Sequence, residues 1–368
     1  MLAAGGRHCS FVDEQGAVWV CGSNSTGQLG LGKNQVRSKL KKLKKIPPIQ
    51  GVFAKGQRTM LLDINGDVWV CGSNRYGQFG VKLKNDITSP KKLEGIPCIQ
   101  AIDGVYHVIA LDTDRNVWVR GSNSFFQLGN DTVLQENAFS KLDNLPQIQS
   151  LSAGEKFSLF LDIDGIVWAT GHHRDGQLGV GREAGMRVTL NQVPSIPPIR
   201  AISAGENHSL LLDYAGNVWA SGGNSYGQLG LGDDGAFRFT FEKIDLLSDI
   251  TAVFAGVLQS MFLNKEGSVW VCGLATSGQL GLGMVEPPGE ISAPTKNPSL
   301  PPINWLSLGG NHSLFLDATG SVWFCGDTEA LGLPNNTLIF VPEKLEGVPK
   351  LYTVSLSPAS PLKSAANV

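Results

Sequence analysis

Apolar and polar positions along this chain alternate in short runs rather than in the wider spacing of amphipathic helices. In HSLLLDYAGNVWASG (208–222), two runs of aliphatic, β-branched and aromatic residues flank a polar turn, the pattern of a β-hairpin. The same pattern returns seven times, marked by Trp19, Trp69, Trp118, Trp168, Trp219, Trp270 and Trp323 at spacings of 49 to 53 residues. Asp stands six residues before the tryptophan in six copies: Asp13, Asp63, Asp112, Asp162, Asp213 and Asp317. Gly stands three before it in six copies and three after it in all seven. Asp can bond back onto the turn backbone and Gly can take positive φ, so each copy predicts a tight hairpin. Gly-Gln-Leu-Gly then recurs with small variations and lapses to Ala330-Leu331-Gly332 in the last copy. The variable stretch that follows predicts a weak outer strand and surface loops.

A period near 50 holds about four strands of five to six residues with their turns. One four-stranded sheet cannot bury both faces, but seven arranged radially can, with Trp and Val filling the gaps. The expected fold is therefore all-β: a seven-bladed β-propeller of four-stranded antiparallel blades. The start, LAAGGRH, lacks the strand that precedes the motif elsewhere. KLEGVPKLYTVSL (344–356) matches KLEGIPCIQAIDG (92–104), which carries that strand. The C-terminal strand, about Lys350 to Ser355, is expected to join the first blade and close the ring. Residues 1–356 then form one domain and 357–368 a disordered tail.

These residues resemble the regulator of chromosome condensation repeat family, whose signature is a run such as AGENHSLLLDYAGNVWASGGNSYGQLGLG. The resemblance covers about residues 2–356 and implies the seven-bladed propeller.

Composition adds an asymmetry. The net charge of −2 conceals 15 Lys and Arg against 6 Asp and Glu in residues 1–100, reversed to an acidic excess in the remainder. No apolar run is long enough to span a bilayer or to serve as a secretory signal, so a cytosolic protein is expected. Cys21, Cys71, Cys272 and Cys325 occupy equivalent positions in different repeats, too far apart for disulfides. They are expected to be reduced, half-buried strand residues. No Cys-x-x-Cys pair, phosphate loop, nucleophile elbow or zinc-protease motif occurs, so neither cofactor, metal site nor covalent catalysis is expected.

The recurring residues are scaffold, so function is sought where the copies differ. The loop before the repeated His supplies one candidate: a rim around one end of the axis carrying Arg7, Arg58, Tyr106, Glu155, Lys156, Glu206, Asn207, Leu258 and Asn311. This mixture suits a protein-binding surface. His8, His107, His208 and His312 recur at the start of the second strand and are read as local structural hydrogen-bonding groups; His172-His173 is read as surface polarity. The run KNQVRSKLKKLKK (33–45) supplies a second candidate, a basic flank of Arg37, Lys39, Lys41, Lys42, Lys44 and Lys45 with Lys82 and Lys84 in the next blade. It suits an acidic protein, with an anionic membrane surface a weaker alternative, and it equally suits an edge strand guarded against aggregation. Without interleaved aromatics it does not suit sequence-specific nucleic-acid binding.

The resemblance implies a partner. The family includes the nucleotide exchange factor of the Ran GTPase, and related proteins of intracellular bacterial pathogens act on host Ran- and Rab-type GTPases. It thus implies a monomeric propeller that engages a small GTPase, with guanine-nucleotide exchange as the compatible activity and host cytosol as the place of action for a bacterial effector. Carried over to this sequence, the rim residues above would make the contact. The even spacing leaves no room for the protruding hairpin of the exchange factor, and no chromatin-tethering basic tail occurs. The alternative is a non-catalytic adaptor that recruits other proteins.

Overall fold

The computed structural model describes residues 1–32, 37–80, 85–130, 135–232, 235–284, 289–333 and 335–351. Seven four-stranded antiparallel sheets, each ordered along the chain, form seven blades. Blade 1 comprises β1 (Leu2–Ala4), β2 (His8–Val12), β3 (Val18–Ser23) and β4 (Arg37–Lys42), and blades 2 to 7 repeat this order. First strands pack against first strands of neighbouring blades and so line the axis, and those of blades 1 and 7 meet to close the ring.

The predicted hairpin turn appears with an added bond. Asp63 Oδ1 accepts the backbone N–H groups of Asn65 and Asp67 at 2.9 and 3.0 Å, while its Oδ2 accepts the Trp69 indole N–H at 3.0 Å. All six aspartates hold their tryptophans in this way, at 2.8 to 3.1 Å. The Gly three residues after Trp has φ near +110°, and an added Cβ at Gly222 would sit 2.5 Å from the Asn207 carbonyl oxygen. Only glycine allows the loop between first and second strands to come that close.

Outer strands end in Lys opposite Trp in six blades, from Lys42 beside Trp19 to Lys344 beside Trp323. Lys42 Nζ lies 5.7 Å from the Trp19 ring centre, its stem covering the half-buried indole. Pro90, Pro294 and Pro342 sit within these outer strands, where a missing N–H costs no ladder bond.

Two expectations need correction. The inner strand of blade 1 is present at the start of the chain: Leu2–Ala4 pairs with Phe11, Ser10 and Cys9. The C-terminal segment meets it through Leu351, which bridges Asp13 as Ile49 pairs with Asp63 in blade 2. Both ends of the chain therefore build that strand position, while Lys350 pairs with Glu14 at 3.3 Å and residues 352–355 lie outside the described residues. Cys21, Cys71, Cys272 and Cys325 are fully buried rather than half-buried, and all described cysteines are free. Residues 357–368 also lie outside the described residues.

Candidate functional site

The four repeated histidines do not cap their own strands; each reaches the next blade. His8 Nε2 lies 2.9 Å from Thr59 Oγ1, His107 Nε2 2.8 Å from Ser158 Oγ, and His208 Nε2 2.9 Å from Ser260 Oγ. His312 Nε2 lies 3.5 Å from Cys9 Sγ and so spans the closure. Each hydroxyl already donates its proton to a Gln carbonyl of the preceding blade: Thr59 to Gln28, Ser158 to Gln127, Ser260 to Gln228, at 2.6 to 2.7 Å. A hydroxyl has one proton, so the imidazole must donate through Nε2, which leaves Nδ1 bare. In His8, His107 and His208 that Nδ1 is buried with no partner. Burial lowers His8 to about 4 and His107, His208 and His312 to about 3. These are neutral structural residues.

One exception follows the same logic. Blade 3 places Val108 where its neighbours have a hydroxyl or thiol, and the preceding blade, left without an acceptor, carries Arg58 in place of His. Arg58 was expected on the rim but is 4% exposed, because it fills that histidine position. Its Nε donates to the Ser73 carbonyl at 2.9 Å and its guanidinium stacks 5.7 Å from the Tyr106 ring centre. Burial lowers its pKa to about 10. His173 is buried rather than on the surface and stands where four other blades use Asn to hold the loop: its Nδ1 accepts from Leu178 N at 3.3 Å, as Asn224 Oδ1 does from Leu229 N at 3.0 Å.

The loops between first and second strands, and between third and fourth strands, emerge together on one face, called upper here. The Ser23 N–H, for example, bonds the Arg7 carbonyl across them at 2.8 Å. Of the predicted rim residues, Arg7 and Asn311 are exposed, and Tyr106, Glu155, Lys156, Glu206, Asn207 and Leu258 are half-buried. Arg7 pairs with Glu329 at 3.3 Å, across the closure. At the axis Lys55 donates to the carbonyls of Ala153 and Ala204 and lies 3.6 Å from Asp103, so one side chain spans four blades.

Over blades 2 to 4 the upper face gathers rings and cations. Tyr76, 44% exposed, tilts against Tyr106 at 4.7 Å, with Arg58 beneath. Phe125 meets His172 edge-on at 4.9 Å and carries Lys156 and Arg187 over its ring at 5.7 and 5.5 Å. Glu155 sits between the two groups, paired with Lys156 at 3.2 Å. Burial, then the Glu155 carboxylate, pushes Tyr106 up to about 12; burial, then Glu155, also raises Glu206. Tyr76, Phe125 and Arg187 were not singled out from the sequence. The signal for Tyr76 and Phe125 was the two-residue slot of the Gly-Ser-Asn-x-x-Gly-Gln stretch, which holds Arg75-Tyr76 and Ser124-Phe125; Arg187, at the head of an outer strand, carries no such signal.

The basic flank runs along the outer edge of blade 1, where Lys39, Lys41, Lys42, Lys44 and Lys45 are exposed. Arg37 heads that strand, its side chain outside the described residues, as are Lys82 and Lys84. The rim and flank are thus separate surfaces. Among the described residues no cluster of His, Cys, Asp or Glu could hold a metal ion, and no helix is long and apolar enough to cross a membrane.

Residues 98–360 match the model of the RCC1-like domain, and residues 15–62 and 65–111 match the regulator of chromosome condensation repeat. The human probable E3 ubiquitin-protein ligase HERC6 is 35% identical over 184 residues, 49% of this chain and 18% of that protein. The guanine nucleotide exchange factor SRM1 of Saccharomyces cerevisiae is 28% identical over 205 residues, 50% of this chain and 42% of that protein. The crystal structure of Prp20p from Saccharomyces cerevisiae shares the fold with a TM-score of 0.81 and 24% identity, covering 92% of this chain and 87% of that one. The matches span less than half the length of these two curated relatives.

Proposed function

We propose that this chain, which belongs to the regulator of chromosome condensation repeat family, is a protein-binding propeller whose upper face engages a small GTPase of the Ran or Rab type. The observation that carries the reading is the ridge of Tyr76, Tyr106 and Phe125 flanked by Arg58, Lys156 and Arg187. Aromatic residues and arginine are the side chains that anchor protein interfaces. Here the rings are held by packed cations, so little entropy is lost on docking. The similarity to a nucleotide exchange factor supports a GTPase as partner. Exchange needs no covalent chemistry: a propeller that prefers the nucleotide-free GTPase shifts it away from its phosphate and magnesium contacts.

The test is capture of nucleotide-free Ran and a Rab panel on immobilised full-length chain, together with release of labelled GDP. The double variant Tyr76→Ala, Arg187→Glu should lose capture at least tenfold. Capture of none of the GTPases by the unaltered protein refutes the reading, and capture without accelerated release confines it to binding.

A second reading, a non-catalytic adaptor, is favoured by the basic edge of blade 1. Lys39, Lys41, Lys42, Lys44 and Lys45 form an exposed positive strip away from the ridge, suited to an acidic protein or, more weakly, an anionic membrane. Replacing Lys41, Lys42, Lys44 and Lys45 with Glu should abolish binding under this reading and spare it under the first.

A further inference from the structure

Two residues after the repeated tryptophan, six blades carry a small side chain: Cys21, Cys71, Thr170, Ser221, Cys272 and Cys325. Most reach a carbonyl of the preceding blade, as Cys71 does to Gln28 at 3.3 Å and Thr170 to Phe126 at 2.7 Å. Blade 3 places Arg120 there. It is only 8% exposed, and its guanidinium lies in the gap between blades 2 and 3. One wall is the Phe139 ring, whose centre is 5.3 Å from Cζ. The other is Gly80, where an added Cβ would fall 1.8 Å from Nη1.

This guanidinium has no hydrogen-bond acceptor and no carboxylate within reach among the described residues, and its Nε is fully buried without a partner. Burial lowers its pKa, and no neighbouring charge offsets that effect. The contrast with Arg58, which donates to a carbonyl, is direct. Arginine stays charged in proteins, so a buried, unpaired guanidinium is costly, and any small residue of the other six blades would avoid the cost. Its planar fork of donors matches the oxygens of a phosphate or carboxylate. The position lies two residues from the end of its strand, Val117–Ser122, on the side that feeds the upper loops.

We propose that the gap between blades 2 and 3 is an oxyanion site, in which Arg120, held between Gly80 and Phe139, binds a phosphate or carboxylate group. The proposal stands on the unpaired guanidinium and is independent of the GTPase reading.

The test is thermal unfolding of the full chain at constant ionic strength in chloride, with inorganic phosphate or acetate titrated in. For the unaltered protein a saturable rise in midpoint, by ~3 °C at a hundredfold excess over Kd, is expected. Arg120→Cys, the residue of four other blades, should melt no lower than the unaltered protein in chloride and should show no saturable rise. A rise with phosphate alone assigns the ion as phosphate, and a rise with acetate as well assigns a carboxylate. The proposal is overturned if neither anion gives a saturable rise or if Arg120→Cys and Arg120→Ser keep it. It is equally overturned if both variants melt well below the unaltered protein in chloride, since ring stacking alone would then explain the arginine.

Discussion

Acid should dismantle this ring well above the pH at which carboxylates protonate. The perturbation is a drop from pH 7 to pH 5. His8, His107, His208 and His312 are held neutral, with pKa values of about 4, 3, 3 and 3 against an ordinary 6.5. Over this range the unfolded chain takes up protons that the folded chain refuses, so stability falls as pH falls. The contribution is fully present above pH 6.5 and is lost progressively toward the folded values near 3 to 4. At pH 5, one and a half units below 6.5, each histidine removes about 2 kcal/mol, or about 8 kcal/mol for the four. That rivals the whole stability of many domains, roughly 5–15 kcal/mol. His172 and His173 are lowered too and act with the same sign. The assay is urea unfolding at pH 7, 6 and 5, with His208→Gln as the internal control. Gln259 already occupies a histidine position, donating to the Gly309 carbonyl at 3.1 Å, so the fold accepts glutamine there. The variant should recover about 2 kcal/mol of the acid-induced loss. Urea midpoints that stay level from pH 7 to 5, or an equal loss with His208→Gln, would refute the assignment of buried, neutral imidazoles.

Other outcomes follow from single contacts. Gly222→Ala should cost about 3 kcal/mol or more in urea unfolding, because φ is +113° and the new methyl would meet the Asn207 carbonyl at 2.5 Å. Asp213→Asn should cost about 1–2 kcal/mol in the same assay, since its carboxylate accepts the Trp219 indole at 3.1 Å together with turn N–H groups. The sixth turn marks the contrast: Asn264 bonds Glu266 and Ser268 but makes no bond to Trp270. A thiol reagent at pH 8 should label Cys98 alone in the native protein and all six cysteines in denaturant, because Cys98 is the exposed one and burial pushes Cys71 up to about 12.

The fold was legible because the period carries it: a Trp at a fixed distance from an Asp and two Gly specifies each hairpin, and seven such hairpins specify the ring. What the repeat conceals is anything that crosses between copies. His8 and Thr59 are 51 residues apart, so nothing local announces their bond. Arg58 looked like an exposed rim residue because charge usually marks surface; its burial follows only from Val108 lying opposite in the next blade. Tyr76 and Tyr106 meet in a tilted contact across a blade boundary from two different loops, and only the radial arrangement brings those loops together. The short β1 was missed because Leu2–Ala4 carries too few residues to show an alternation.

The histidine links also run in a single rotational sense. Four blades present a histidine to their successor and blade 6 a glutamine, while blade 3 meets its predecessor with Val108, so the copies look interchangeable without being so. Moving blade 2 or blade 3 would set Arg58 against a serine or a histidine against Val108, and every hairpin could form while that seam lost its match. Order around the circle is therefore written into the joints that flank blades 2 and 3, where a displaced copy loses its match even though the motif itself is easily duplicated.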